Sequence, residues 1–249
     1  MTWYQTMGYI SMIASLLPVA LIFSLRLYKN KSLLILMIYY LSSFIYNILS
    51  EQIIPVPVAF VKGVGFFNNL TDAPLALMYL LYFTKSPGLR KKIHIAILAF
   101  AAFEIIAVAL LGLNRNTIAI ILGPGILVII TLSFIFFIEQ VKDVIQYGKT
   151  AGKALMASST LFFYGCFFII YLFWYVFHTP DIENAFLVYF FVVTLSSMLA
   201  SIGLIIEKKR IKVLDELVTT QNELSRLYPN EKIVFPKEKA RSLEDDDHF

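Results

Sequence analysis

Seven apolar stretches, each long enough to cross a membrane, dominate this sequence. A helix needs about 20 apolar residues to span roughly 30 Å of hydrocarbon, and helical backbone satisfies its own hydrogen bonds there. The stretches cover approximately residues 7–27, 33–49, 64–84, 93–113, 118–138, 154–177 and 185–206. We therefore predict an all-α polytopic membrane protein whose residues 1–206 form a bundle of seven transmembrane helices.

Composition excludes several other classes of protein. The chain of 249 residues is 59% hydrophobic and 15% charged, whereas soluble domains average about 25% charged residues. A single cysteine, Cys166, rules out an intramolecular disulfide and a cysteine-based metal cluster. The formal charge of +4 comes from basic residues beside apolar stretches, where they act as topology signals. We expect no cofactor, no metal site and no nucleic-acid partner.

The basic residues between the stretches predict the orientation, because cytoplasmic loops retain Lys and Arg. Fourteen lie on one side of the predicted membrane: Arg26, Lys29, Lys31, Lys85, Arg90, Lys91, Lys92, Lys142, Lys149, Lys153, Lys208, Lys209, Arg210 and Lys212. Lys62 and Arg115 lie on the other side. This asymmetry favours seven spans, an external N-terminus and a cytoplasmic C-terminus. The first stretch lacks a basic region before it and a small-residue cleavage site, so we expect it to be retained.

The residues after the seventh stretch suggest two further segments. No Pro or Gly interrupts residues 207–228, so we predict that helix seven continues there into the cytoplasm. A 3-4-3-4 spacing in this segment fits either a two-copy coiled coil or an amphipathic helix on a surface. The residues at this spacing are Leu214, Leu217, Gln221, Leu224 and Tyr228. Residues 229–249 are strongly charged and predict a disordered tail.

Polar side chains inside the apolar stretches are the candidate site, because ionisable groups in lipid are costly and usually face the bundle interior. Asp72 follows Asn68 and Asn69 at helical spacing, and Glu104 lies near the middle of helix four. We predict a polar ligand pocket in the outer half of the bundle. Its candidate ligand-binding residues are Asp72, Asn68, Asn69, Asn47, Tyr46, Glu104, Tyr171 and Ser197. Serine also serves as a packing contact between membrane helices, which is the simpler interpretation of Ser197.

Two family resemblances concern the architecture. The segment Leu70-Thr-Asp-Ala-Pro-Leu-Ala-Leu loosely resembles the Thr-Thr-Pro-Leu motif in helix three of microbial rhodopsins. Residues 185–206 contain no lysine, so a retinal Schiff base is not available. The basic first loop, Leu25-Arg-Leu-Tyr-Lys-Asn-Lys, and the aromatic sixth stretch resemble small seven-helix proteins of Bacteroidota. That resemblance implies a multi-pass protein of a bacterial inner membrane and implies no activity.

Three functions remain open at this point. The leading hypothesis is a receptor-like or sensory protein that binds a small molecule around Asp72 and signals through residues 207–228 to a cytoplasmic protein or a second copy. The first alternative is a small transporter or channel. The second is an intramembrane enzyme that uses Asp72 and Glu104 as acid and base on a lipid. All three place the protein in a lipid bilayer.

Overall fold

Seven long helices make up the fold in the computed structural model, which describes residues 3–84, 86–148, 150–177 and 182–227. The helices are α1 (Trp3–Ser24), α2 (Lys31–Ser50), α3 (Val58–Phe83), α4 (Pro87–Leu111), α5 (Arg115–Tyr147), α6 (Ala151–Tyr171) and α7 (Ile182–Leu227). A π-helical turn, Leu172–Val176, extends α6. The described ranges contain no β-strand, so the all-α prediction with seven helices is confirmed.

Six of the seven helices are long and apolar enough to cross a membrane, which indicates a multi-pass membrane protein. The exception is α3, the helix whose apolar character Asn68, Asn69 and Asp72 reduce. Its 26 residues would still extend about 39 Å at 1.5 Å per residue. The polar residues in α3 therefore lower its hydropathy without shortening it.

Side-chain caps fix where three of the helices begin. Asn30 accepts a hydrogen bond from the Ser32 backbone at 3.1 Å at the start of α2. Asn114 accepts one from the Thr117 backbone at 2.9 Å at the start of α5, and Ser86 caps α4 in the same way. Such caps satisfy backbone N–H groups that have no partner within the helix. Each cap therefore stabilises the first turn of its helix.

Six helices form a ring in the order α1, α2, α3, α5, α6 and α7, and α7 packs against α1 to close it. The remaining helix, α4, packs on the outside of this ring against α3 and α5. Its opposite face exposes Ile95, Leu98, Ile105, Ile106 and Leu110, a surface suited to lipid. A side chain on α4 therefore reaches the ring interior only by passing between α3 and α5.

Small residues let the backbones of α6 and α7 approach each other closely. A Cβ built at Gly152 would lie 2.7 Å from the Gly203 carbonyl oxygen and 2.7 Å from the Glu207 backbone nitrogen. Further along the same interface, the Ser159 hydroxyl donates a 2.7 Å hydrogen bond to the Ser196 carbonyl. Small residues and hydroxyl bonds are the means by which membrane helices associate closely.

A buried ion pair lies beside this crossing. The Glu207 side chain is 2% exposed, and Arg210 donates to its two carboxylate oxygens at 2.6 and 3.0 Å. Beyond this pair α7 becomes mainly exposed and continues as helix to Leu227. Tyr228, the last residue of the predicted extension, and the predicted tail at 229–249 lie outside the described residues, as do Lys85 and Lys149.

Candidate functional site

A cavity of about 480 Å³ lies inside the ring of helices. It is near the end of the bundle where α1 begins, because Tyr4 of α1, Glu51 after α2 and Arg115 at the start of α5 line it. Its volume falls within the range of about 300–1,000 Å³ that small-molecule sites usually have. The cavity is therefore large enough for a metabolite-sized ligand.

Asp72 and two tyrosines form a hydrogen-bonded group on the cavity wall. The Tyr164 hydroxyl donates to Asp72 Oδ2 at 2.9 Å, and the Tyr39 and Tyr164 hydroxyl oxygens are 3.1 Å apart. Tyr164 is 1% exposed, whereas Asp72 is half-buried because it faces the cavity. Tyr164 of α6 therefore holds this carboxyl directly, and Tyr39 of α2 contacts the Tyr164 hydroxyl.

Removing the Tyr164 hydroxyl tests this group. We expect Tyr164→Phe to lower the free energy of unfolding by about 1–3 kcal/mol, because Asp72 loses a donor that is inaccessible to solvent. Thermal unfolding followed by scanning fluorimetry measures the change. Tyr171→Phe is the matched control, since its hydroxyl donates to the neutral Ala119 carbonyl at 2.9 Å. An equal or larger loss in the control would contradict the importance of the Asp72 group.

Amide side chains continue the polar wall on α2 and α3. Asn68 and Asn69 lie one turn before Asp72 and line the same cavity, as does Asn47 of α2. The Ser42 hydroxyl donates to Asn68 Oδ1 at 3.0 Å, which joins α2 to α3. The three polar residues of α3 thus share one helix face directed into the ring.

Aromatic rings of α6 and α7, which we call the aromatic wall, line the same cavity. Phe163 and Phe167 of α6 stack with their centroids 5.8 Å apart, and Tyr189 of α7 lies 6.3 and 6.0 Å from them. Near the cavity mouth, the Arg115 guanidinium lies 5.9 Å from the centre of the Tyr175 ring. The lining of the cavity therefore combines carboxyl and amide groups with aromatic rings.

Most residues proposed from the sequence come together here. Six line the large cavity: Asp72, Asn68, Asn69, Asn47, Tyr46 and Tyr171. Ser197 lines a smaller cavity of about 50 Å³, which shares Tyr39, Ser43 and Asn47 with the large one. The smaller cavity lies deeper in the bundle, among Ser159, Ser196 and other serine and tyrosine side chains.

Glu104 lies apart from both cavities. It is 9% exposed on α4, and Oε1 has no hydrogen-bond partner among the described residues. Because α4 packs outside the ring, Glu104 faces the ring helices from behind. Among the described residues no hydrogen bond joins it to Asp72, whose partner is Tyr164. The acid–base pair of Asp72 and Glu104 stays a prediction.

The sequence does not indicate the aromatic wall or Arg115 as part of the site. Phe163 and Phe167 are four residues apart in a sequence rich in Phe, so nothing distinguishes them from lipid-facing neighbours. Arg115 serves as an orientation signal in the sequence, and its place at the cavity mouth depends on how α5 packs. The spacing of four places Phe163 and Phe167 on one face of α6, but Tyr189 joins them only through the packing of α7 against α6.

The described residues contain no group of three or more His, Cys, Asp or Glu side chains that could hold a metal ion. Comparison of the chain with known protein families, with curated proteins and with solved structures finds no match. The cavity geometry is therefore the basis for proposing a function.

Proposed function

We propose that this protein is a receptor-like sensor that binds a small molecule in the cavity beside Asp72 and signals through α7. The distribution of basic residues supports an orientation in which the cavity opens outside the cell and the end of α7 lies in the cytoplasm. We also propose a bacterial inner membrane as its location, on the sequence resemblance given above.

The observation that carries this proposal is the continuity of α7. This single helix of 46 residues places Tyr189 and Phe190 in the cavity wall and then continues to Leu227. The distance along the helix from Tyr189 to Leu227 is about 57 Å at 1.5 Å per residue. A helix that shifts or rotates when a ligand contacts Tyr189 therefore moves its far end as well.

Ligand binding should first appear as stabilisation. The test is a screen of polar and cationic metabolites, in which the thermal unfolding of the full chain in detergent is measured with each compound. A ligand at one hundred times its Kd is expected to add about 2.7 kcal/mol to the free energy of unfolding. Tyr189→Ala should abolish the effect, whereas Ile202→Ala, an exposed position further along α7, should retain it.

The relay, which is the movement of the end of α7 when a ligand binds in the cavity, is tested with the compound that stabilises the protein most. Spin labels at Ile145→Cys and Leu217→Cys, both exposed, report the distance between the ends of α5 and α7 in a Cys166→Ser background. We expect the ligand to change this distance by about 2 Å or more. If the ligand stabilises the protein but the distance between the labels does not change, signalling through α7 is contradicted and only ligand binding remains of the proposal.

A second candidate, a transporter, is favoured by the smaller cavity. This cavity continues from the large one past Tyr39 toward Ser159 and Ser197, and thus extends the polar interior deeper into the bundle. In proteoliposomes a carrier would accumulate the stabilising compound, and Asp72→Asn would reduce that uptake. Absence of uptake together with the distance change would favour the sensor.

A further inference from the structure

We infer that the ligand of the large cavity is an organic cation, either an amine or a quaternary ammonium compound. This inference rests on the proposed use of the cavity as a ligand site and names the chemical class that its walls recognise. The carboxyl of Asp72 and the aromatic rings that line the same cavity carry it.

The charged groups of the cavity favour a cation. Asp72 and Glu51 contribute two carboxyls to the described lining, and Arg115 contributes one guanidinium. Arg115 lies at the mouth over Tyr175, whereas Asp72 lies on the wall with Tyr164. An anion placed beside Asp72 would meet a like charge, so the described lining selects against anionic ligands.

Asp72 also retains hydrogen-bonding capacity for a ligand. A carboxylate offers about four acceptor positions, and the Tyr164 hydroxyl occupies one of them. The remaining positions can accept N–H groups from an amine, or can lie beside the charge of a quaternary ammonium group. Tyr164, whose hydroxyl also contacts Tyr39, fixes the carboxyl for this contact.

The aromatic wall supplies the second element of cation recognition. The rings of Phe163, Phe167 and Tyr189 lie within 6.3 Å of one another at the cavity wall. Aromatic faces attract cations within about 6 Å of the ring centre, and several such faces together recognise quaternary ammonium groups. A neutral ligand would pack against these rings, but it would make no ionic interaction with the Asp72 carboxylate.

Calorimetry on the full chain in dodecyl maltoside tests the inference with three probes. The probes are tetraethylammonium, choline and 3,3-dimethylbutan-1-ol, the uncharged carbon analogue of choline. We expect both cations to bind and choline to bind at least about tenfold more tightly than its neutral analogue. If lysophosphatidylcholine binds more tightly than choline and displaces it, the cation is the headgroup of a lipid. If choline binds more tightly than lysophosphatidylcholine, the cation is a free solute.

Substitutions inside and outside the cavity test whether choline binds beside Asp72. Asp72→Asn should weaken choline binding at least about tenfold, because a charged acceptor becomes neutral. Asp143→Asn removes the same charge from α5 away from the cavity and should leave binding unchanged. Tyr189→Leu retains Asp72 and should weaken choline binding about fivefold, which provides a second variant if Asp72→Asn does not fold.

Equal binding of choline and its neutral analogue, no binding of either cation, or unchanged binding in Asp72→Asn would overturn the inference. These outcomes differ from failure of the proposed relay. If choline binds through Asp72 but the distance between Ile145→Cys and Leu217→Cys stays constant, the ligand class stands and the sensor proposal fails. If another compound changes that distance and the cations do not bind, the sensor stands and the ligand class fails.

Discussion

We expect Gly152→Leu to lower the free energy of unfolding by about 3 kcal/mol. A Cβ at Gly152 would meet two backbone atoms of α7 at 2.7 Å, and backbone cannot rotate away as a flexible side chain can. The helices α6 and α7 would have to separate, and the neighbouring bond from Ser159 to the Ser196 carbonyl would break. Unfolding in a detergent mixture with increasing dodecyl sulfate measures the loss.

Gly165→Leu is the matched control for this prediction, because it lies on the same helix and a Cβ there meets nothing within 4 Å. Replacing glycine inside a helix usually gains about 0.5–1 kcal/mol. The two variants should therefore change stability in opposite directions. Equal stability of Gly152→Leu and Gly165→Leu would show that α6 and α7 do not cross closely at Gly152.

Arg210→Met is expected to lower the free energy of unfolding by about 3 kcal/mol. Its loss leaves the Glu207 carboxylate, 2% exposed, without the two hydrogen bonds that Arg210 donates. Breaking a buried ion pair from one side costs about 3–5 kcal/mol, and replacing both partners by apolar residues is often neutral. The double variant Glu207→Met with Arg210→Met should therefore recover most of the loss.

Lys212→Met serves as the control for this pair. Lys212 lies 3.7 Å from Glu216 on the same helix, and both side chains are mostly exposed. Such a surface pair contributes no more than about 0.5 kcal/mol. A similar cost for Lys212→Met and Arg210→Met would mean that Glu207 is solvated and that the ion pair does not stabilise α7 at this position.

The sequence predicts the helices well because lipid imposes a strong constraint on them. Length and apolar character are local properties, so each predicted stretch corresponds to one observed helix. The ends agree less closely: α5 continues to Tyr147, beyond the predicted end at residue 138, because Glu139 and Lys142 end the apolar stretch without ending the helix. Hydropathy detects the membrane part of a helix and not the helix itself.

Helix order around the ring is not a local property, and the candidate site shows the consequence. Asp72 and Asn68 share a helix face that the sequence already indicates, and both line the cavity. Glu104 has an equally suggestive position, but α4 packs outside the ring and Glu104 lines neither described cavity. Whether a buried carboxyl faces the centre or the back of the bundle depends on packing between helices, which periodicity does not determine.

An experimental density map of the full chain, purified without added ligand or with choline, tests the central claim most directly. We predict an open cavity between α2, α3, α6 and α7, with Asp72 held by Tyr164. With choline present, we predict ligand density against Asp72 and the rings of Phe163 and Tyr189. A closed interior, with side chains packed across the cavity and no room beside Asp72, would contradict a ligand-binding function for this protein.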